Sequence, residues 1–338
     1  MRRAAQPPKL PQVLIVSALR DLHASGVAAR LKANHGVEPH VIDINDALVS
    51  GGVTWSTSGV NALRTREGRR IDPQDMDAVW WRRINTPQRD PSGVIEESDK
   101  RFLSAEWKAS YLGLAETRFD CPILNPLAKN QRADNKCVQL QAAQDVGLAV
   151  PTSCITQDWE DLCNFVQSLN GDYFVAKKLH GIHMHPTQTL RLQLKDLSPE
   201  ALRTCPTLFQ ACVPGERHLR LTVFGQEVHG AIIESPDLDW RASDAVRYKP
   251  AVLSEDFKAQ VLALMAQLGL QVAVHDFKFD GQTPVYLETN PQGQFLFVEA
   301  MGGGALLDPF CAYLAQMAKT HFDKRLAGQI GETIAVPA

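Results

Sequence analysis

The chain has 338 residues, 44% of them hydrophobic and 22% charged, with a formal net charge of −3. That length exceeds what one minimal core needs and implies two or three folding units, and the composition excludes disordered, collagen-like and coiled-coil classes. Without a clustered basic excess, general phosphate-backbone binding is excluded, so no nucleic-acid partner is expected. The seven cysteines (Cys121, Cys137, Cys154, Cys163, Cys205, Cys212 and Cys311) are odd in number, scattered and form no Cys-x-x-Cys. That pattern suits reduced thiols in a cytoplasmic protein better than disulfides or zinc ligands. No apolar run reaches ~18 residues, so no membrane span is expected. The short apolar stretch near the start lacks a cleavage site and reads as a first strand behind a Pro-rich tail.

Residues 13–17 (VLIVS) read as a buried strand, followed by a helix through VAARLKANHG that stops at Gly36, then by strands at HVIDI and DAVWW. Strand, helix, strand in that order implies parallel pairing in a layered α/β unit. A long amphipathic helix over about 96–118 follows, and CPILNP closes the unit. A helix over 128–146, stopped by Gly147, opens the next, followed by VPTSCIT, a helix near 158–169 and the strands YFVAKKL and TLRLQL. HLRLTVF and EVHGAIIES read as a hairpin around a Gly225-Gln226 turn. A helix over 256–268, apolar at Phe257, Val261, Met265 and Leu268 and ended by Gly269, precedes two strands at 271–279 and 284–290. There is no internal repeat.

The last two strands carry an anomaly. Glu288 and Asn290 in VYLETNPQGQFLF stand where a half-buried strand would put apolar side chains, and Pro291 ends the ladder. A three-residue Gly281-Gln282-Thr283 loop would set Asp276 opposite Glu288, with Asn290 on the same face. Opposed carboxylates repel unless something compensates. Two readings stand: a divalent cation held by three hard oxygen donors, or side chains that face solvent or pair with a lysine such as Lys278.

The segment VHDFKFDGQTPVYLETNPQGQFLFVE resembles the metal-binding segment of the ATP-grasp ligases. Lys136 in ADNKCVQLQAAQDVGLAVPTS and Lys177 in YFVAKKL are similar to that superfamily's two nucleotide lysines, and LFQACVPGERHLRLTVFGQEVHGAII to its hinge and arginine strand. Within it, VWWRR, SPDLDWR and ETNPQGQFLF resemble the graspetide synthetases, maturases of microviridin-type ribosomal peptides. The chain departs from the pattern at His218, where relatives carry an acid two residues before Arg220, and at LHGIHMHPTQT, which replaces a Gly-rich phosphate lid. Glu216 is a substitute for the missing acid. His180, His183 and His185 in that segment read as a mobile lid rather than a metal site.

The resemblance implies an α/β (α+β) ATP-grasp fold. A tail at 1–11 precedes an N-terminal layered α/β pre-ATP-grasp domain at 12–126, and α+β lobes at 127–207 and 208–330 clamp ATP between them. It implies Mg2+ on Asp276, Glu288 and Asn290, and inner phosphates on Lys136 and Lys177. It also implies adenine over Gln210, Ala211, Cys212 and Val213, with Arg220 near the transferred phosphoryl and Arg241 near the substrate carboxyl. The two tryptophans before Arg82 and Arg83 suggest core packing, and either arginine faces the cleft or solvent. The implied reaction phosphorylates Asp or Glu side chains of a precursor peptide, leader plus core, and closes ester or amide rings with Thr, Ser or Lys. A homodimer is implied as well, with leader docking on the central lobe and the 180–195 segment. Alternatives are an ATP-grasp ligase for a small molecule or protein terminus, and a non-catalytic nucleotide-binding regulator. No P-loop, nucleophile elbow or strand-coupled dinucleotide fingerprint is present.

Overall fold

The structure is a computed structural model that describes residues 10–18, 21–43, 52–65, 67–82, 96–169, 171, 173–179, 190–243 and 245–328. The chain packs as two units, Met1–Leu127 with Leu307–Ala338, and Ala128–Leu306.

In the first unit, β1 (Gln12–Ser17), α1 (Leu22–Arg30) and β2 (Glu38–Asp43) are followed by the short strands β3 (Val53–Thr54), β4 (Ala62–Arg64) and β5 (Arg70–Ile71). Then come β6 (Ala78–Trp81), α2 (Glu97–Arg118) and β7 (Ile123–Leu124). The main sheet runs β2-β1-β6-β7, and its neighbours are parallel. Val13, Leu14, Ile15 and Val16 are all fully buried, as an unbroken apolar strand covered on both faces must be. Asp21 caps α1 by accepting from the His23 and Ala24 amides. A π-helical turn over Leu31–His35 continues α1, and Gly36, which ends it, takes φ 64°, a conformation that favours glycine. Both tryptophans of VWWRR are core: Trp80 packs on Phe310 and Trp81 on Tyr111. Arg82 is buried and ion-paired with Asp21 at 3.4 Å. Arg83 lies outside the described residues.

In the second unit the helix expected over 128–146 is two: α3 (Leu127–Ala133) ends, and α4 (Lys136–Asp145) restarts. Asn135 is the cause, since its side chain accepts from the Cys137 and Val138 amides as an N-cap. Next come β8 (Ser153–Thr156), α5 (Trp159–Gln167), β9 (Phe174–Lys177), β10 (Leu190–Leu192), α6 (Pro199–Leu202) and β11 (Thr207–Ala211). These strands form a sheet in the order β10-β9-β11-β8. A second sheet has the order β14-β13-β12-β15-β16, from β12 (Arg217–Phe224), β13 (Glu227–Glu234), β14 (Arg247–Pro250), β15 (Val272–Asp280) and β16 (Thr283–Asn290). The β12–β13 hairpin turns at Gly225-Gln226 as expected, with Phe224 paired to Glu227. Between β14 and β15, α7 (Glu255–Leu268) lays Val261, Leu264, Met265 and Leu268 on Leu219, Leu221, Val223, Ala273, Phe277 and Tyr286. One face of the second sheet is thus core, and the other carries the polar row His218, Arg220, Asp276 and Lys278 beside buried Phe224, Ala231, Ile233 and Val274. A short helix, α8 (Leu296–Ala300), follows β16.

The last helix, α9 (Leu307–Leu326), packs with the first unit, not with the last lobe to which the sequence reading assigned it. Its anchor is polar. Asp77, fully buried, accepts from the Gln12 amide at 2.8 Å, from Arg325 at 3.1 and 3.0 Å, and lies 3.2 Å from His321 Nδ1. Asp77→Ala strands these groups, and losing one partner of such a network costs about 3 kcal/mol. A urea melt is expected to show the first unit losing about that much stability; an unchanged midpoint contradicts the anchor.

His275 is fully buried beneath the second sheet, with Nδ1 2.8 Å from Thr289 Oγ1 and Nε2 3.3 Å from Met265 Sδ. Burial pushes its imidazole from 6.5 down to about 3. Because the unfolded chain takes up this proton first, stability from the neutral ring is present above pH 6.5 and lost as pH falls toward 3. The melting temperature is expected to drop across that window, with a shallower slope in His275→Leu, where Tyr286 still bonds Thr289 Oγ1. Equal slopes contradict the assignment.

Candidate active site

The polar face of the second sheet is set by one irregularity. Asp280 pairs with Thr283, so the β15–β16 turn has two residues, Gly281 and Gln282, not the three expected. With that turn alone, Asp276 would meet Leu287, and Glu288 would share Tyr286's core face. A bulge instead shifts the register between Phe277↔Tyr286 and Asp276↔Glu288. Leu287 is the extra residue, and it turns Glu288 to the side of Asp276. The expected pairing of the carboxylates is present, reached by a different turn.

Each carboxylate is bonded to a cation. Lys136 Nζ donates to Glu288 Oε2 at 2.6 Å. Arg220 Nη1 donates to Asp276 Oδ1 and Oδ2 at 2.8 and 3.0 Å, while its Nη2 donates to the Gln294 carbonyl at 2.7 Å. Burial alone would raise the Glu288 carboxyl, but Lys136, then Lys177 and Arg241, hold it at about 2. The Lys136 contact follows from the helix break, which makes Lys136 the first residue of α4. One turn on, buried Gln139 grips the Thr289 backbone, accepting from its amide at 3.0 Å and donating to its carbonyl at 2.7 Å. Residues i and i+3 share a helix face, so the side chain that clamps the edge strand also aims Lys136 at Glu288. Sequence reading missed Gln139; its amide, three residues after Lys136, was the available signal.

Lys177 ends β9, and its ammonium forms no hydrogen bond or ion pair among the described residues. Burial pushes its ammonium down, against the opposing pull of Glu288; Lys136, Arg241 and Asp276 are its other charged neighbours. Arg241 is more than half exposed and donates from Nε and Nη2 to Asp239, both at 2.8 Å. Arg220 is buried, and its Nε has no acceptor among the described residues. His218 and Lys278 face each other one step along the ladder from Arg220 and Asp276. Both are buried, and burial and then Lys278 push the His218 imidazole down to about 4, leaving it neutral. No described residue bonds to Lys278 Nζ, so the Lys278 ion pair weighed in the sequence reading is not formed.

The expected hinge begins inside β11. Gln210 is buried, donating to Ser153 Oγ at 2.9 Å, while its side-chain oxygen has no partner among the described residues. Ala211 donates to the Thr152 carbonyl, and Cys212 and Val213 lie past the last ladder pair. Glu216 is exposed, and its backbone carbonyl accepts from the Ser235 amide. Asn290 Oδ1 accepts from the Gln292 amide at 3.0 Å, which folds the Pro291–Gln294 turn back. A Cβ on Gly293 would come within 2.5 Å of Val274, so that turn admits only glycine there.

Among the described residues no group of three or more His, Cys, Asp or Glu could hold a metal. The candidate donor set is two carboxylates and an amide, Asp276, Glu288 and Asn290, and these hard oxygens in cross-strand register fit Mg2+. His180, His183 and His185 lie outside the described residues, as does most of the expected lid. All seven cysteines are free, and no described helix is long and apolar enough to cross a membrane.

No protein-family model matches the chain, and no curated protein matches it significantly. Solved structures do. The macrocyclase MdnC from Microcystis aeruginosa MRC, bound with precursor peptide MdnA, is 25% identical, with a TM-score of 0.79 over 91% of this chain and 99% of that one. A Chryseobacterium gregarium RiPP-associated ATP-grasp ligase, in complex with ADP and a leader and core peptide, is 20% identical, with a TM-score of 0.79 over 92% and 97%. A RimK domain ATP-grasp protein from Sphaerobacter thermophilus DSM 20745 is more distant, at 14% identity and TM-score 0.56 over 91% and 99%. The chain therefore has the ATP-grasp fold, in the form found in peptide-bound macrocyclases and RiPP-associated ligases.

Proposed function

We propose that the chain is an ATP-dependent, ADP-forming ligase that phosphorylates Asp or Glu side chains of a ribosomally made precursor peptide and closes ester or amide macrocycles with Thr, Ser or Lys. The observation that carries this reading is the charged face of the second sheet. Lys136, Lys177, Arg220 and Arg241 surround Asp276, Glu288 and Asp239, leaving one positive charge in excess. A half-buried site with excess cations suits an anionic ligand, and its opposed carboxylates suit a cation that the ligand brings. The likeness to a macrocyclase bound to its precursor peptide supports the substrate class.

Bringing an anionic phosphate against an anionic carboxylate is the electrostatic obstacle, so such a site works by positioning and fixed charge rather than by a protein nucleophile. Mg2+ on Asp276, Glu288 and Asn290 would neutralise and orient the terminal phosphates. Lys177, with no bonded carboxylate among the described residues, is the cation poised for an inner phosphate, and Lys136 is its neighbour. Arg220 keeps a free Nε–H for the transferred phosphoryl while Asp276 and Gln294 fix its plane. Arg241, exposed and oriented by Asp239, reaches for the substrate carboxyl. Cys212 and Val213 offer main-chain groups to a base edge, as nucleotide sites commonly do, and Glu216 takes the nucleotide contact of the acid that His218 replaces. The reading extends to a cytoplasmic homodimer, supported at the first point by the free cysteines.

The test is coexpression with a short Thr- and Asp/Glu-rich peptide encoded beside this gene. The peptide is expected to lose one water per bond formed, with ADP produced. Glu288→Gln is expected to abolish both while melting as the parent does. An unchanged peptide mass with ATP and Mg2+ present overturns the proposal.

A further inference from the structure

Three aromatic rings stand together beside the charged groups. Trp240, in a short turn after Asp239, Tyr248 on β14 and Phe297 on α8 are all half-buried. Trp240 and Phe297 stack at 5.9 Å with 25° between their planes. Tyr248 stands edge-on to both, at 6.3 and 6.4 Å. The Arg220 guanidinium carbon lies 5.6 Å from the Trp240 centroid and 5.2 Å from that of Phe297, within cation–π range. Trp240 is flanked in the chain by Asp239 and Arg241, which bond each other. Both rings thus lie against the Arg220 guanidinium, and Trp240 is joined through the chain to the Arg241–Asp239 pair.

Such a placement has a chemical use under the function proposed above, on which this inference rests. Phosphoryl transfer to a carboxylate oxygen yields an acyl phosphate and ADP. In the productive step a substrate hydroxyl or amine attacks the acyl carbon, the carbon–oxygen bond to phosphate breaks, and inorganic phosphate leaves with the electron pair. The nucleophile's proton passes to phosphate or solvent. Water can make the same attack, returning the carboxylate and releasing phosphate, so ATP is spent with no bond formed. Excluding water is the protection available.

We propose that Trp240 and Phe297 are positioning residues that form a dry wall against the acyl phosphate, holding Arg220 in plane and keeping water from the acyl carbon. Their rings strengthen the Arg220–Asp276 pair by excluding solvent from one side, and Tyr248 braces them edge-on. Loss of a ring therefore affects the fate of the intermediate more than its formation.

The readout is the ratio of ADP formed to ring bonds closed, with intact mass and ADP measured on the same sample of full-length protein, ATP, Mg2+ and precursor peptide. The parent is expected to form them in equal amounts. Trp240→Leu and Phe297→Leu are expected to raise ADP per bond several-fold, and Trp240→Tyr to restore the parent ratio. A fall of ADP and bonds in the same proportion in both leucine variants overturns the wall. Where Trp240→Leu does not fold, as judged by melting, Phe297→Leu alone decides. Parent protein that makes neither ADP nor rings with any offered peptide refutes the proposed function instead, so the two failures are distinguishable.

Discussion

The site depends on one residue inserted in one strand. Leu287 makes β16 longer than its partner by a single position, so Tyr286 stays in the core and Glu288 crosses to the polar face to meet Asp276. Placing two carboxylates opposite each other is unfavourable by itself, and every neighbouring feature answers that cost. Lys136 bonds one carboxylate, Arg220 bonds the other, and Lys177 and Arg241 add to the field that keeps Glu288 ionised.

These cations are in place because backbone elements put them there. Asn135 ends one helix and starts another, which sets Lys136 at the first turn of α4, and Gln139 then fastens that helix to the edge strand through Thr289. Under the sheet, Thr289 is held by His275 and Tyr286. Over it, the Pro291–Gln294 turn folds back with no room for a side chain at Gly293, and its Gln294 carbonyl binds Arg220. A rigid core on one face thus carries a charged, adaptable face on the other, an arrangement suited to chemistry by positioning.

Much of this was legible in the sequence wherever the signal is local. Strand and helix periods, the Gly225 hairpin and the Glu-Thr-Asn break in alternation depend on neighbours in the chain, and the structure has them. The register of Asp276 against Glu288 was read from a three-residue loop, whereas the structure combines a two-residue turn with a bulge. A bulge has the same effect on pairing and leaves no separate mark in the sequence. The helix break at Asn135 was readable as an N-cap and was overlooked because the apolar pattern runs through it. What could not be read is what packing decides: Gln139 on Thr289, the Trp240–Phe297 stack beside Arg220, the buried His218–Lys278 neighbours, and α9 fastened by Asp77. Those partners are distant in sequence, and each could equally be a solvated side chain.

The central claim is that Asp276 and Glu288 together hold a divalent cation for a nucleotide. Electron paramagnetic resonance of Mn2+, titrated into the protein with ADP, tests it directly because it needs no turnover and no peptide. The account predicts that ADP tightens Mn2+ binding to the parent chain, and that Asp276→Asn and Glu288→Gln each lose that protein-dependent binding. Equal Mn2+ binding in the parent and both variants would contradict it.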